Sequence, residues 1–160
     1  MGGADANENA IKLARGYTGK HKILSRYRSS HGATAGAMAL TGDPRRLSWE
    51  PNLMGGVVHF LDPYRYRSTF HVNNPEVSET NFTRDYLNHL EEIIQYEGAE
   101  TIAAILLESV TGTNGIIIPP QGYLQGVREI CDRHEILMIT NEVMSGFGRT
   151  GKRFAIEISE

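Results

Sequence analysis

The sequence predicts an α/β fold in which a mostly parallel sheet carries helices on its faces. Segments with apolar residues at helical spacing alternate along the 160 residues with short apolar segments typical of strands. Residues 101–108 are the most apolar segment, with no polar side chain from Ile102 to Leu107, as expected of a strand that is buried on both faces. Strands separated by helices are joined by crossovers, which place neighbouring strands parallel.

The first half of the chain predicts two helices, one on each side of a strand, and then an irregular region. Residues 5–17 place apolar side chains on one helical stripe, and residues 21–27 form a short apolar strand. Small residues predict a helix over 31–40, which ends before the helix breaker Gly42. The long segment that follows is rich in loop-forming residues, and its one strand is predicted at residues 57–61.

The second half predicts helices and strands in strict alternation. Apolar residues at helical spacing predict a helix over 83–97, which ends at Gly98. The buried strand at 101–108 follows. A helix over 122–134 and a strand over 136–140 complete the alternation.

Composition and charge exclude several classes of protein. The chain carries 16 basic and 19 acidic residues, a net charge of −3, so no basic surface for nucleic acid is expected. There is no apolar run of about 18 residues and no signal peptide pattern, so no membrane span is expected. The single cysteine, Cys131, favours a reducing, cytoplasmic setting. His59, His89 and His134 lack metal-ligand spacing, so no metal site is expected.

The strand at 136–140 runs into a polar pair, Asn141 and Glu142, and then into a glycine-rich loop. In open α/β sheets, ligands bind beyond the carboxyl ends of the strands. A second carboxylate, Glu108, ends the buried strand, where it either belongs to this site or reaches solvent. Residues 2–5 precede the first helix, so their N–H groups either bind a phosphate or form an ordinary N-cap.

The glycine-rich loop also matches nucleotide-binding patterns. Residues 146–151 fit Gly-x-Gly-x-x-Gly. Read to Arg153, the same run is a phosphate-loop pattern that fails only at its last position, where Ser or Thr is required. Both patterns require a helix immediately afterwards. Apolar residues recur at every second position over 152–160, which predicts β-like structure there and argues against a nucleotide-binding module.

Four ordered motifs resemble those of the class III (ω-) aminotransferases. Residues 2–8 read Gly-Gly-Ala-Asp-Ala-Asn-Glu, residues 30–32 read Ser-His-Gly, Glu108 precedes a serine, and residues 141–151 read Asn-Glu-Val-Met-Ser-Gly-Phe-Gly-Arg-Thr-Gly. The resemblance implies part of the large domain of the fold-type I transferases that depend on pyridoxal phosphate. Residues 1–160 would then be one partial domain. The amino-terminal segment, the carboxyl-terminal domain and the lysine that forms a Schiff base with the cofactor in this family would lie outside it.

The resemblance implies cofactor contacts residue by residue and implies no catalytic residue within this chain. The residues that inherit these contacts are Gly3 and Ala4 at the phosphate, Ser30 and His31 at the pyridine ring, Glu108 near the cofactor, Asn141 at the ring nitrogen and Val143 against the ring face. Taken alone, His31 would more often be a structural or surface histidine.

Two of these positions depart from the family's pattern. Ser30 stands where the family has an aromatic residue that stacks on the pyridine ring. Asn141 stands where an aspartate pairs with the ring nitrogen and keeps it protonated, and an uncharged amide would stabilise the protonated ring much less. Ser109, in place of a proline, is a milder departure. These changes favour an alternative hypothesis, a non-catalytic remnant that binds a partner.

The reaction implied by the resemblance is transfer of an amino group from an ω-amino donor, such as taurine or β-alanine, to a keto acid such as pyruvate. Residues 2–9 and 41–46 are most similar in wording to taurine–pyruvate and related ω-amino acid–pyruvate aminotransferases. The resemblance also implies a homodimer. The isolated chain is expected to be inactive, because Lys152 and the other lysines lie away from the Schiff-base position.

Overall fold

Four strands form one sheet in the computed structural model, which describes residues 2–159. They are β1 (Lys22–Arg26), β2 (Val57–Phe60), β3 (Ile102–Glu108) and β4 (Leu137–Asn141). Their order across the sheet is β2-β1-β3-β4, and every neighbouring pair is parallel. The predicted α/β fold with a parallel sheet is confirmed.

One helix comes before the first strand in sequence, and three more form the crossovers between strands. α1 (Gly3–Thr18) comes before β1, while α2 (Ala35–Leu40), α3 (Glu79–Glu97) and α4 (Tyr123–Arg133) each connect one strand to the next. The chain passes from β1 outward to β2 and then back across β1 to β3, so the order of the strands reverses between β1 and β3. This reversal is the topological switch point of the sheet.

The helices cover the two faces of the sheet in separate apolar layers. Leu90 of α3 and Val127 of α4 pack on one face with Ile105 of β3. Ile11 of α1 packs on the opposite face with Leu106 of β3. Because Ile105 and Leu106 are both fully buried, β3 is covered on both sides, as its unbroken apolar sequence predicts.

Two helices begin at positions other than those predicted. α2 begins at Ala35 and not at residue 31, because Gly32 has a φ of +129°, which is incompatible with a right-handed helix. α3 begins at Glu79, earlier than predicted. The hydroxyl of Ser78 accepts a hydrogen bond from the N–H of Asn81 at 3.3 Å, and this N-cap contact extends the helix toward its amino terminus.

The β-like structure predicted over 152–160 is wrong. The described part of this segment forms a 3-10 helix at Ala155–Ser159. The N–H groups of Ala155 and Ile156 donate to the Glu142 carboxylate at 3.1 and 3.0 Å, so they do not join a strand ladder. Residues 151–154 are bends, so no helix directly follows the glycine-rich loop in the described chain.

The structure of residues 2–159 also bears on membrane insertion, metal binding and thiol chemistry. No helix within residues 2–159 is long and apolar enough to cross a membrane. In the same part of the chain, no group of His, Cys, Asp and Glu side chains is arranged to hold a metal ion. Cys131 is buried in α4, and burial raises the pKa of its thiol to about 12, so the thiol is a poor nucleophile.

Candidate functional site

One cavity of about 360 Å³ lies beyond the carboxyl ends of β1, β3 and β4. It adjoins the switch point, where open α/β sheets bind ligands, and sites for small molecules usually have volumes of about 300–1,000 Å³. All the residues predicted to contact the cofactor line this cavity. The lining residues are Gly3, Ala4, Ser30, His31, Gly32, Glu108, Thr113, Asn141, Val143 and Met144.

A larger cavity, of about 860 Å³, lies along the loop from Arg65 to Val77. None of the predicted site residues lines it. The guanidinium of Arg65 in its wall already donates to the carbonyl of Val77 at 2.9 Å. We therefore take the smaller cavity as the candidate site, because the strand ends and the predicted residues converge on it.

The amino terminus of α1 brings Gly3 and Ala4 to the cavity. Within residues 2–159, the N–H groups of Gly3 and Ala4 have no hydrogen-bond partner, as is usual in the first turn of a helix. A Cβ on Gly3 would lie 2.7 Å from Cγ2 of Val143, so glycine allows the segment after β4 to approach α1 closely. Free N–H groups and the helix dipole together favour an anion here.

His31 is held in the wall of the cavity by four hydrogen-bonding groups. Its N–H donates to Thr41 Oγ1 at 3.0 Å, and its carbonyl accepts from Asn7 Nδ2 at 2.7 Å. Its ring nitrogens contact Ser25 Oγ at 3.2 Å and Asn141 Nδ2 at 3.0 Å. This histidine is therefore a buried member of the site and not a surface residue.

The imidazole of His31 is uncharged at neutral pH. Burial lowers its pKa to about 3, and the charge of Arg26 and the nearby His59 act in the same direction. Burial disfavours the charged form of a histidine because the protein interior solvates a cation poorly. The group that contacts Asn141 is thus a neutral ring with one donor and one acceptor nitrogen.

Asn141 ends β4 and projects into the cavity wall. Its Oδ1 accepts a hydrogen bond from the N–H of Val143 at 3.1 Å, while its Nδ2 faces His31. The side chain is buried, with 8% of its surface exposed. This position is the one predicted to face a pyridine nitrogen, and it carries an amide with no net charge.

Glu108 is buried at the end of β3 and connects two loops of the site. One carboxylate oxygen accepts from the N–H of Ser30 at 3.2 Å, and the other accepts from the N–H of Gly112 at 2.9 Å. The carboxylate therefore does not reach solvent. Its hydrogen bonds fix the loop after β1 relative to the loop after β3.

Ser30 places no ring on the cavity. Its N–H is bound to Glu108, and no Phe, Tyr or Trp occurs among the residues that line the cavity. A flat heteroaromatic ligand would thus lack the aromatic stacking that the family pattern provides on this side. Val143, which is 70% exposed, offers an apolar side chain in the same cavity.

The lysines of this chain lie away from the cavity. Lys20 Nζ donates to the carbonyl oxygens of Ala99 and Glu135 at 3.3 and 3.0 Å. Lys22 Nζ pairs with the Glu97 carboxylate at 2.8 Å. These contacts lie at the amino ends of the strands, opposite the cavity. Lys12 and Lys152 do not line the cavity either.

Glu142 connects the end of β4 to the segment that follows it. Its carboxylate accepts from Ser109 Oγ at 2.5 Å and from Ser145 Oγ at 2.6 Å, as well as from the N–H groups of Ala155 and Ile156. Burial raises the pKa of this carboxyl group, but the four hydrogen bonds outweigh it, and the net pKa is lowered from its usual 4.5.

We expect Glu142→Gln to destabilise the full-length protein by about 1–3 kcal/mol at pH 7, because an amide cannot accept all four hydrogen bonds. Since the folded-state pKa is lowered, the carboxylate's contribution to stability is present above pH 4.5 and is lost as the pH falls through the folded-state value. Urea unfolding at pH 7 and pH 4 measures both effects. The difference between Glu142→Gln and wild type should shrink in acid, whereas Glu129→Gln, on the exposed face of α4, should match wild type. An equal difference at both pH values would contradict this role.

Some residues of the site were missed by the sequence analysis. Thr113 and Met144 line the cavity, and Ser25 contacts the ring of His31. Thr113 and Met144 follow Glu108 and Asn141 closely in sequence, so proximity to a strand end was the one available signal. Nothing in the sequence indicates Ser25, which occupies an interior strand position.

The chain is similar to class III aminotransferases in sequence and in structure. A family model described as "Aminotransferase class-III" matches residues 1–160. The solved structure of taurine:2-oxoglutarate aminotransferase from Bifidobacterium kashiwanohense, in complex with PLP and glutamate, matches with a TM-score of 0.92 and 51% sequence identity, over 99% of this chain and 35% of that chain.

Two curated relatives illustrate the range of donors in this group. Hypotaurine/taurine–pyruvate aminotransferase of Paracoccus denitrificans is 36% identical over 162 residues, covering 97% of this chain and 34% of the relative. Diaminobutyrate–2-oxoglutarate aminotransferase of Haemophilus influenzae is 41% identical over 155 residues, with 97% and 34% coverage. The chain thus spans about a third of the length of these relatives. From the family match along the whole chain and the shared fold, the chain belongs to the class III aminotransferase family.

Proposed function

We propose that the full-length protein containing this chain is a pyridoxal-phosphate-dependent transaminase. The observation that carries the proposal is the cavity at the switch point, where a helix amino terminus, a neutral histidine and Asn141 meet. Family membership supports the same reaction class. This chain would provide the binding site for the cofactor, and the lysine that holds the cofactor covalently would come from outside it.

The residues of the cavity fit pyridoxal phosphate at its phosphate and at its ring nitrogen. The unpartnered N–H groups of Gly3 and Ala4 suit a phosphate. Asn141 offers a polar group to the ring nitrogen, and Val143 offers an apolar contact to the ring face. The fit is incomplete at Ser30, where an aromatic ring is lacking.

The protein residues have separate tasks in this proposal. When bound, the cofactor supplies a ring that withdraws the electrons released as the substrate Cα–H bond breaks. The first turn of α1 would bind the phosphate, and Glu108 would hold the loops after β1 and β3 around the ring. His31 contacts the Asn141 side chain and limits its orientation. Asn141 and Val143 would position the ring at the carboxyl end of β4.

We further propose that the donor is an ω-amino compound, such as taurine or β-alanine, and that the acceptor is a keto acid such as pyruvate. Two proteins similar to this chain carry taurine in their names, which supports this substrate class. The test is full-length protein with pyridoxal phosphate, taurine and either pyruvate or 2-oxoglutarate. Formation of alanine or glutamate is the expected result. No amino transfer from any ω-amino donor would overturn the substrate class.

The isolated 160-residue chain should show no amine transfer with the same reagents, because none of its lysines lines the cavity.

We also propose that the full-length protein is a cytoplasmic homodimer. Large apolar side chains such as Tyr17 and Phe147 are 84% and 86% exposed on this chain, which is consistent with cover from other parts of the assembly. Light scattering of the full-length protein tests the dimer.

The second candidate function is a non-catalytic protein that retains the family fold and binds a partner. Ser30 and Asn141 favour it, because both departures from the family's pattern fall on proposed cofactor contacts while the buried core is intact. Equilibrium dialysis of the full-length protein against pyridoxal phosphate distinguishes the two. Retention of one cofactor per subunit supports the transaminase, and no retention supports the non-catalytic candidate.

We expect Ser30→Tyr to tighten binding of pyridoxal phosphate to the full-length protein by about two- to tenfold. An aromatic pair contributes about 0.5–1.5 kcal/mol beyond the burial of its area, and each 1.4 kcal/mol is tenfold in affinity. Ser30→Leu is the matched control, because it adds apolar area without an aromatic face. Equal tightening by Tyr and Leu would show that burial and not stacking is responsible.

A further inference from the structure

The orientation of the Asn141 amide is determined by its neighbours. A backbone N–H can only donate, so the atom that contacts the N–H of Val143 at 3.1 Å must be the oxygen, Oδ1. The nitrogen Nδ2 is then the atom 3.0 Å from His31 Nδ1. Since Nδ2 can only donate, His31 Nδ1 must accept.

The orientation of the amide also determines which ring nitrogen of His31 carries the proton. With Nδ1 as the acceptor, the neutral ring carries its proton on Nε2, which donates to Ser25 Oγ at 3.2 Å. Asn141, His31 and Ser25 thus form a chain of uncharged groups in which each donates to the next. The burial of all three residues makes an unpaired donor or acceptor in this chain costly.

One N–H of the Asn141 amide takes no part in this series of hydrogen bonds. Nδ2 carries two protons, of which His31 accepts one, and the described residues provide no acceptor for the other. Asn141 lines the cavity. The side chain therefore brings a hydrogen-bond donor to the site, and it brings no negative charge.

Building on the proposed function, we propose that Asn141 donates its second Nδ2 proton to the ring nitrogen of bound pyridoxal phosphate and so holds that nitrogen in its unprotonated form. An unprotonated pyridine nitrogen has a lone pair that needs a donor, and Asn141 supplies one. A protonated ring nitrogen would instead meet an N–H group and a neutral imidazole. Glu108, the one carboxylate among the residues that line the cavity, already accepts hydrogen bonds from the N–H groups of Ser30 and Gly112 through its two oxygens.

The structure also predicts the effect of restoring a carboxylate at this position. In Asn141→Asp, both side-chain oxygens can only accept, so His31 must turn its donor toward residue 141 and place the proton on Nδ1. The carboxylate can also balance a positive charge on the ring. One substitution should thus reverse the direction of the hydrogen-bond chain and protonate the ring nitrogen.

The test is ¹⁵N NMR of the full-length protein loaded with pyridoxal phosphate that is labelled at the ring nitrogen. The ¹⁵N chemical shift distinguishes a neutral pyridine from a pyridinium. We expect the neutral shift in wild type at pH 7 and the pyridinium shift in Asn141→Asp. Asn81→Asp, an equivalent change on the exposed side of α3, is the matched control and should give the wild-type shift.

A second measurement needs no cofactor. In the unloaded protein, two-bond ¹H–¹⁵N correlations of His31 should show the proton on Nε2 in wild type. In Asn141→Asp they should show it on Nδ1. A proton on Nδ1 in wild type would overturn the assigned direction of hydrogen bonding from Asn141 through His31 to Ser25, even if the variant fails to fold.

The outcomes separate this inference from the proposed function. A pyridinium shift in wild type, with the cofactor bound, would overturn the inference and leave the transaminase proposal standing. Failure of wild type to bind pyridoxal phosphate at all would overturn both. A neutral shift in wild type that persists in Asn141→Asp would show that residue 141 does not control the nitrogen, and would also overturn the inference.

Discussion

Asn141→Asp is expected to raise the rate of the proposed transamination by the full-length protein by about 10²–10³-fold, the range associated with one well-placed electrostatic stabiliser. In wild type, the side chain proposed to face the ring nitrogen is an amide held between Val143 and His31. A carboxylate at the same place would favour a positively charged ring, which accepts electrons from the breaking Cα–H bond more readily. The measurement is single-turnover absorbance of the cofactor with taurine as donor.

Asn141→Asp should also lower the stability of the folded protein when no cofactor is bound. It would bury a negative charge beside Glu108, whose Cα is paired with that of Asn141 across β3 and β4. Thermal unfolding should therefore occur at a lower temperature in unloaded Asn141→Asp than in unloaded wild type, and pyridoxal phosphate should raise it more in the variant. Asn81→Asp should change neither the rate nor the cofactor-dependent shift. An unchanged single-turnover rate in Asn141→Asp, with the cofactor bound, would contradict the predicted electrostatic role of residue 141.

The position of the site could be predicted because parallel strands end at a common edge. Glu108 and Asn141 each end a strand, and Ser30 follows another, so strand polarity alone places them on one side of the sheet. The strand order could not be predicted in the same way. The return of the chain past β1 to β3 depends on packing of α3 against the far face of the sheet, and no local pattern indicates it.

Details within the site depend on contacts between distant segments. The sequence indicates that residue 141 is an uncharged amide, but the direction of its hydrogen bonds depends on His31 and Ser25, which belong to another strand and its loop. The apolar residues at every second position over 152–160 predicted β-like structure, and that prediction was wrong for a similar reason. Ala155 and Ile156 donate to Glu142, and this tertiary contact outweighs the local β-like pattern.

Gly32→Ala is expected to destabilise the full-length protein by about 2–6 kcal/mol and to weaken binding of pyridoxal phosphate. Gly32 has a φ of +129°, which side chains rarely tolerate, and a Cβ there would lie 2.5 Å from Ala4 Cβ and 2.9 Å from Ala4 Cα. Backbone strain costs about 1–3 kcal/mol, and overpacking adds about 1–3 kcal/mol. Because Ala4 is in the first turn of α1, relief of the clash must move the N–H groups proposed to hold the phosphate.

Gly115→Ala separates the two causes. Gly115 also has a positive φ, of +106°, but a Cβ there would meet no heavy atom within 4 Å, so this control carries backbone strain without a clash. Urea unfolding and cofactor titration of both variants should show a loss of stability in each but a loss of affinity in Gly32→Ala alone. If Gly32→Ala binds the cofactor as tightly as Gly115→Ala does, the approach of α1 to the loop after β1 is a packing feature only. The phosphate contact would then have to lie elsewhere in the cavity.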